Sequence, residues 1–459
     1  MIELFLAFIT YWCLLIGAAF VLPNGVVRKM LGWFTLVAYI LVLLLVGEYL
    51  HSWQRLFLST IGLLLTIKIV ALLQLGRDEI RSFPILGLAM YSAIWPGFDP
   101  QPFKNRNTAA ESFEHKFVHG YVCFVSGLLA CLAVAILQPS LGTVLTGWAG
   151  IGALLLTIHF GFSNLLTSMM QLSGWNVRPL FEQPMRSRTL GEFWSKRWNL
   201  AFVEMDKILF LPVINKVVKN RAAALVGVFL VSGLLHELAI NYSSGSAMGL
   251  PTLYFLLQAI VLLTQEAVWR KRAHPILARV VTWLCIILPL PMLFTDAFRN
   301  EFILPLFQLL HSELAQHQLG WYLSLALWLA SAGNFCAIAA GIQIPYRLNW
   351  REELPKLSSF NRKIFLNYYF YIGVMVLTWG SLTAFLHDDM LRGGRSSVCL
   401  AGIMAGFWTL RVVVDFVFFK HSDWPKGAQF VIGHVLLTSL FIFLATSYLG
   451  LVLWQVFGT

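Results

Sequence analysis

Charge is scarce in this sequence. Asp, Glu, Lys and Arg make up only 12% of its 459 residues, about half their share in an ordinary soluble domain. With 58% hydrophobic residues, the surface of a water-soluble globule is excluded. Other shortages narrow the reading. The six cysteines, Cys13, Cys123, Cys131, Cys285, Cys336 and Cys399, include no Cys-x2-Cys pair. Neither a disulfide framework nor a zinc site is indicated, and they read as small buried hydrophobes. No basic stretch precedes the first apolar run at Met1–Ile2, and no small-residue cleavage site clearly comes after it. That run is expected to be a retained span, not a signal peptide. No Gly-x-Ser-x-Gly nucleophile motif occurs, and neither an internal repeat nor a low-complexity linker stands out.

Long apolar runs are abundant. About twelve are long enough to cross a bilayer as helices. They cover 2–22, 31–50, 56–75, 117–137, 143–170, 222–242, 250–269, 276–297, 319–342, 364–387, 397–419 and 428–456. The expected fold class is all-α, a polytopic integral membrane protein of about twelve transmembrane helices. Residues 83–98, "FPILGLAMYSAIWPGF", are too short and Pro-rich to span and read as an interfacial or re-entrant segment. The net charge of +11 is expected on cytoplasmic loops and does not call for nucleic acid. With the N-terminus outside, Arg28, Lys29, Arg77, Arg81, Lys104 and Arg106 fall inside. So do the 171–221 segment, "RKR" at 270–272, the stretch 346–363, Lys420 and Lys426. Arg392 and Arg395 break the alternation, with Asp388 and Asp389 beside them.

The inner segment 171–221 is long for a loop in a compact bundle, and such segments usually carry function or structure of their own. It holds nine Lys/Arg against four Asp/Glu. Within it, "TLGEFWSKRWNL" begins with a possible helix cap at Thr189 and the capping-box residue Glu192. If 190–210 is helical, Glu192 and Lys196 form an i,i+4 pair. Phe193 then shares a face with Arg197, and Trp194 with Trp198. Read by periodicity alone, this is an interfacial anchor helix.

A second feature lies downstream. In "FLVSGLLHELAI", His236 and Glu237 sit inside an apolar span. If that span starts near Ala222, His236 is about 21 Å along it at 1.5 Å per residue. Ionisable side chains at such depth are costly and point to function. The plain alternative is a histidine bonded to a neighbouring helix. Ser232, one turn earlier, can bond the imidazole.

Together, "VRPLFEQPMRSRTLGEFWSKRWN" and the histidine of "SGLLHE", 37 residues after Asn199, resemble the membrane-bound O-acyltransferase superfamily. The match is nearest the wax synthase branch, with its Ser-Leu-x-x-Phe-Trp-Gly-x-Arg-Trp-Asn and Ser-Gly-x-x-His-Glu motifs. The resemblance covers about 85–310. Ser195 stands where the branch usually has Gly, and Thr189 where it often has Ser. The resemblance implies helices around a buried catalytic chamber and direct transfer of a fatty acyl group from acyl-CoA to a hydroxyl. It implies His236 as general base and Asn199 as orienting or oxyanion-supporting residue. The chemistry suits them, since a neutral imidazole is a good base near neutral pH and an amide donates to a developing oxyanion. Arg186, Arg188, Lys196 and Arg197 are candidates for the CoA phosphates, each with positive-inside charge as the plain alternative. Trp194, Trp198, Ser232 and Glu237 are further candidates for the substrate wall. The acceptor implied is a long-chain alcohol, giving a wax ester. Diacylglycerol, a sterol, or a cell-envelope or small-metabolite hydroxyl are alternatives.

Other polar residues have plainer readings. His159 reads as a satisfied core histidine, Lys68 as a snorkelling or paired lysine, and Arg411 with Asp415 as a structural ion pair. Gln258, Gln265 and Glu266 can face the same cavity as His236. Glu111, His115 and His119 share a helical face, but the few scattered histidines do not make a di-iron site, so no metal and no cofactor beyond the acyl-CoA co-substrate is expected. A transporter is the non-enzymatic alternative, although neither an inverted repeat nor paired broken helices support it. Residues 1–310 read as the acyltransferase-like core and 311–459 as transmembrane helices of unassigned role. The expected location is a bacterial cytoplasmic or endoplasmic reticulum membrane, with membrane lipids and a hydroxyl-bearing lipid as partners.

Overall fold

The computed structural model describes residues 2–106, 113–268, 275–419 and 425–457. Glu111, the basic triplet at 270–272 and Lys420 lie outside the described residues. Within them every regular element is helical. Lipid offers the backbone no hydrogen bonds, so an apolar run must satisfy its own peptide groups as helix.

Ten described helices are long and apolar enough to cross a membrane. They reconcile with the twelve expected runs. The first run forms the helix Ile2–Val21. The fourth and fifth runs fall in one continuous stretch, Phe113–Leu172, broken at Gly142, whose φ of 68° is left-handed. The two arms of that stretch run antiparallel and very close. A Cβ on Gly127 would meet the Thr157 backbone nitrogen at 2.6 Å, and one on Gly161 would meet Phe124 Cα at 2.5 Å. Only glycine lets the backbones approach so closely.

The chain divides into two compact units, Met1–His311 and Ser312–Thr459. In the first unit the helix Leu63–Gln74 is enclosed, with Ile69, Val70 and Leu73 fully buried. Lys68 on this helix does not snorkel. It is 1% exposed, and its ammonium donates to the carbonyls of Trp95 (2.8 Å) and Gly97 (2.5 Å). It also lies over the Tyr91 ring at 3.8 Å. Glu204 holds the next residues, accepting from the backbone of Phe98 at 2.8 Å and Asp99 at 3.2 Å. A buried lysine and a glutamate thus tie the short 85–99 segment to the core.

The second unit contains four long helices, Leu319–Arg347, Ser359–Phe385, Arg395–Val417 and Ala428–Phe457. Its core includes Trp379, Trp408, Leu444 and Leu451. The Tyr448 hydroxyl, fully buried, meets Thr383 Oγ1 at 2.7 Å and Asn334 Nδ2 at 3.0 Å. Arg411 and Asp415 form their i,i+4 ion pair at 3.1 Å, with Thr438 also donating to the carboxylate.

Candidate active site

The 190–217 segment is not one continuous helix. Thr189 caps it, its hydroxyl accepting from the Glu192 backbone at 3.0 Å. The Glu192 carboxylate returns to the backbone of Arg188 (2.9 Å), one residue before the cap. From Phe193 to Arg197 the turn widens to π geometry, closed by Trp198 N donating to Phe193 O at 2.9 Å. This spacing brings together residues five apart. Glu192 therefore pairs with Arg197, at 2.6 Å, and not with Lys196. Burial pushes the Glu192 carboxyl up, but the Arg188 backbone and the Arg197 guanidinium outweigh it and hold the group below its usual range.

At Trp198 the chain is extended, and Asn199 turns left-handed, φ 44°. Asparagine tolerates that conformation better than most residues. The turn is held on both sides, since Glu182 N donates to Arg197 O at 2.9 Å and Leu200 N to Leu180 O at 2.8 Å. A new helix, Leu200–Met205, begins there and leads through a second wide turn to Leu211–Val217.

The opposite wall comes from the helix Arg221–His236 and the wide turn Glu237–Tyr242 after it. The His236 Nδ1 lies 2.7 Å from the carbonyl of Ser232. A carbonyl only accepts, so Nδ1 carries the proton and Nε2 presents its lone pair. The partner is thus the Ser232 backbone, not its hydroxyl. The His236 ring packs on Phe255 (4.4 Å between centroids) and Phe202 (5.3 Å).

Between these walls is a cavity of about 1050 Å³. His236, Asn199, Trp194, Trp198 and Ser232 all line it. The two indoles belong to a larger aromatic wall. Trp198 stacks on Phe193 at 5.2 Å, and Trp194 meets Phe255 at 5.6 Å and Phe229 at 5.9 Å. Glu237 is not part of this wall. Its buried carboxylate accepts from the backbone of Gly249 (2.8 Å) and Thr252 (2.9 Å) and from the Asn241 amide (3.1 Å). It anchors the loop before the helix Leu250–Val268.

The expected cations are arranged differently. The Arg197 guanidinium is committed to Glu192 and to the carbonyls of Glu182 (3.2 Å) and Gln183 (3.4 Å). Arg186, Arg188 and Lys196 are exposed and are not among the lining residues. The cations on the cavity wall are Lys207, Lys219 and Arg221, and Arg221 faces Glu266 at 3.8 Å. In the sequence these three read as inner-side charge, and no motif marks them. The available signal was their place between the Arg-Trp-Asn motif and the span that carries His236.

Three further polar residues differ from expectation. His159 is not satisfied. Its buried Nδ1 has no hydrogen-bond partner, and the ring lines the cavity, stacked 6.2 Å from Trp198. Gln258 and Gln265 act as struts. They accept from Trp194 Nε1 (3.3 Å) and from the Leu190 backbone (2.8 Å), and only Glu266 of that trio lines the cavity. Asp206 carries no motif signal in the sequence. It lines the cavity at 9% exposure, and its Oδ1 has no partner. Burial pushes its carboxyl up to about 7. Among the described residues no three His, Cys, Asp or Glu side chains gather as a metal site would need.

Comparison with known proteins agrees with the sequence resemblance. Residues 177–257, which contain the Arg-Trp-Asn and His-Glu motifs, match the model of the membrane bound O-acyl transferase family. The chain is similar to several proteins of Arabidopsis thaliana. One is the probable long-chain-alcohol O-fatty-acyltransferase 2, 34% identical over 130 residues, which are 26% of this chain and 37% of that protein. A second is the probable long-chain-alcohol O-fatty-acyltransferase 7, 30% identical over 143 residues, 29% of this chain and 39% of the relative. A third is the probable long-chain-alcohol O-fatty-acyltransferase 1, 36% identical over 78 residues, 16% of this chain and 23% of the relative. The matched stretch therefore spans well under half the length of each.

Proposed function

We propose that this chain is an O-acyltransferase that moves a fatty acyl group from acyl-CoA to a hydroxyl-bearing lipid, with a long-chain alcohol as the favoured acceptor. The observation that carries this reading is the His236 Nδ1 bond to the Ser232 carbonyl at 2.7 Å. It leaves Nε2 as a base inside an aromatic chamber that also contains Asn199. The acceptor preference rests on the wax synthase resemblance and on the names of the similar plant proteins.

In this reading His236 Nε2 takes the proton from the acceptor hydroxyl as its oxygen attacks the thioester carbonyl. The Asn199 amide donates to the oxyanion. Collapse breaks the carbon–sulfur bond, and the CoA sulfur takes the proton back from His236. The product is an ester and free CoA, with no acyl-enzyme. The aromatic wall keeps water from competing. The CoA phosphates are assigned to Lys207, Lys219 and Arg221 on the cavity wall. Arg197 is left with a structural role.

The test is release of free CoA thiol by purified protein supplied with palmitoyl-CoA and a panel of hydroxyl acceptors. His236→Ala, checked for folding, runs in parallel. The expected result is acceptor-dependent release with the wild type and a loss of about 100-fold or more in the variant, in the range of a missing general base. A diacylglycerol or sterol outperforming long-chain alcohols would reassign the acceptor. Equal release by the variant would remove His236 as base.

A further inference from the structure

One carboxyl on the chamber wall has no part in the acyl-transfer steps. Asp206 is 9% exposed, with Oδ1 unpartnered, and such a group buried without a bond is costly. Asn199, Phe202, Asp206, Lys207, Asn215 and Lys219 all line the cavity and come from one continuous wall. At one end of it, the Phe202 ring touches His236. Asp206 comes four residues later, about 6 Å along a helix rising 1.5 Å per residue. Lys219 lies thirteen residues beyond, on the order of 20 Å of chain farther. Asp206, with Lys207 beside it, therefore stands between the acyl-transfer centre and the cations farther along, Lys219 and Arg221.

A CoA thioester with its phosphates at those cations and its sulfur at His236 must lie along this wall. The part of CoA that covers the interval is the pantetheine arm, whose polar groups are two amides and a hydroxyl. A carboxyl that keeps its proton presents one donor and one acceptor, the complement of a secondary amide's C=O and N–H.

We propose that Asp206 is the pantetheine-binding residue of this chain, its carboxyl hydrogen-bonded to an amide of the arm so that the thioester stops beside His236. This rests on the acyl-CoA reading above. It gives a buried polar atom the partner it lacks and makes Asp206 a positioning residue for the donor.

Calorimetric titration of full-length protein in detergent tests it. Two ligands are used: CoA, and its nucleotide half, which keeps the adenosine and phosphates but not the pantetheine arm. The proteins are wild type, Asp206→Leu, Asp206→Asn and Lys219→Ala. Asp206→Leu is expected to weaken CoA binding about tenfold, the effect of one lost hydrogen bond, and to leave the nucleotide half unchanged. Asp206→Asn, with donor and acceptor kept, is expected to retain most of the affinity. Lys219→Ala is expected to weaken both ligands alike. If Asp206→Leu does not fold, Asp206→Ala carries the same comparison. Unchanged CoA affinity in the leucine variant overturns the proposal. Equal loss for both ligands also overturns it, since that is the mark of a structural role. In the thiol-release assay described above, a defect of the leucine variant confined to the acceptor KM overturns it too and assigns Asp206 to the acceptor. The expected split in Asp206→Leu, together with wild-type protein that binds CoA but transfers no acyl group, would leave this inference standing while the acyltransferase reading fell. No binding of CoA to wild type would overturn both.

Discussion

Asn199 carries two demands in one side chain. Its backbone is left-handed at φ 44°, and the residue lines the chamber. A residue with Cβ and no local polar group loses of order 1 kcal/mol or more in holding that conformation, whereas glycine holds it freely. Asn199→Gly is therefore expected to melt near the wild-type temperature and to lose about 100-fold in turnover with the proposed oxyanion donor. Asn199→Ala is expected to lose both turnover and several degrees of stability. Thermal unfolding in detergent, paired with thiol release, separates the two. Asp206 makes a second residue-scale prediction. Its carboxyl titrates near 3.8 when unperturbed and near 7 in the fold. The folded protein thus binds the proton more tightly than the unfolded chain. The stabilising contribution is complete below the lower value and is lost as pH rises through the upper one. Asp206→Asn is expected to melt higher than wild type above a pH of about 7, with the gain gone below about 4. A difference that did not vary with pH would show that the carboxyl is not held protonated.

The wide turn Phe193–Arg197 decides more at the element scale than any single residue in it. One extra residue in a turn rotates the downstream side chains by about 100° relative to a regular helix. That rotation aims Arg197 at Glu192 and at two backbone carbonyls and leaves Lys196 exposed. Arg197→Ala is expected to destabilise the protein by about 1–3 kcal/mol, as for a half-buried charge left unpaired. Affinity for the nucleotide half of CoA should not change. Arg197→Lys should rescue only in part, because an ammonium cannot reproduce the planar fork. The helical pair that meets at Gly127 and Gly161 predicts a steric effect. Gly127→Val puts its branches against the Thr157 backbone, which cannot move aside, and loss of monodisperse protein in detergent is expected. The helix cap at Thr189 was legible in sequence because it is a local pattern. The wide turn was not, because the same apolar and basic residues fit a regular interfacial helix equally well.

Across the whole molecule, the two units have separate cores. Every residue assigned to the candidate site lies in Met1–His311. The second unit has its own core and its own buried polar knot around Tyr448. Tyr448→Phe removes both hydroxyl contacts at a cost of about 1–3 kcal/mol. It is expected to lower the melting temperature while the KM for acyl-CoA stays at its wild-type value. A raised KM would show that the second unit shapes the donor site.

Hydropathy along the chain was enough to establish an all-α membrane protein and the positions of its twelve apolar runs. Each run is a local property, and lipid leaves the backbone no alternative to helix. The spacing of Arg-Trp-Asn and His-Glu was enough to bring out the acyltransferase resemblance and the pair Asn199 and His236. Which charges face the chamber was a different matter. Arg197 and Glu237 are engaged with backbone groups, Lys68 ties down a short segment, and Lys207, Lys219 and Asp206 reach the cavity. Facing depends on helical register, on wide turns that shift it and on which backbone groups need a partner. These are settled only when the helices pack.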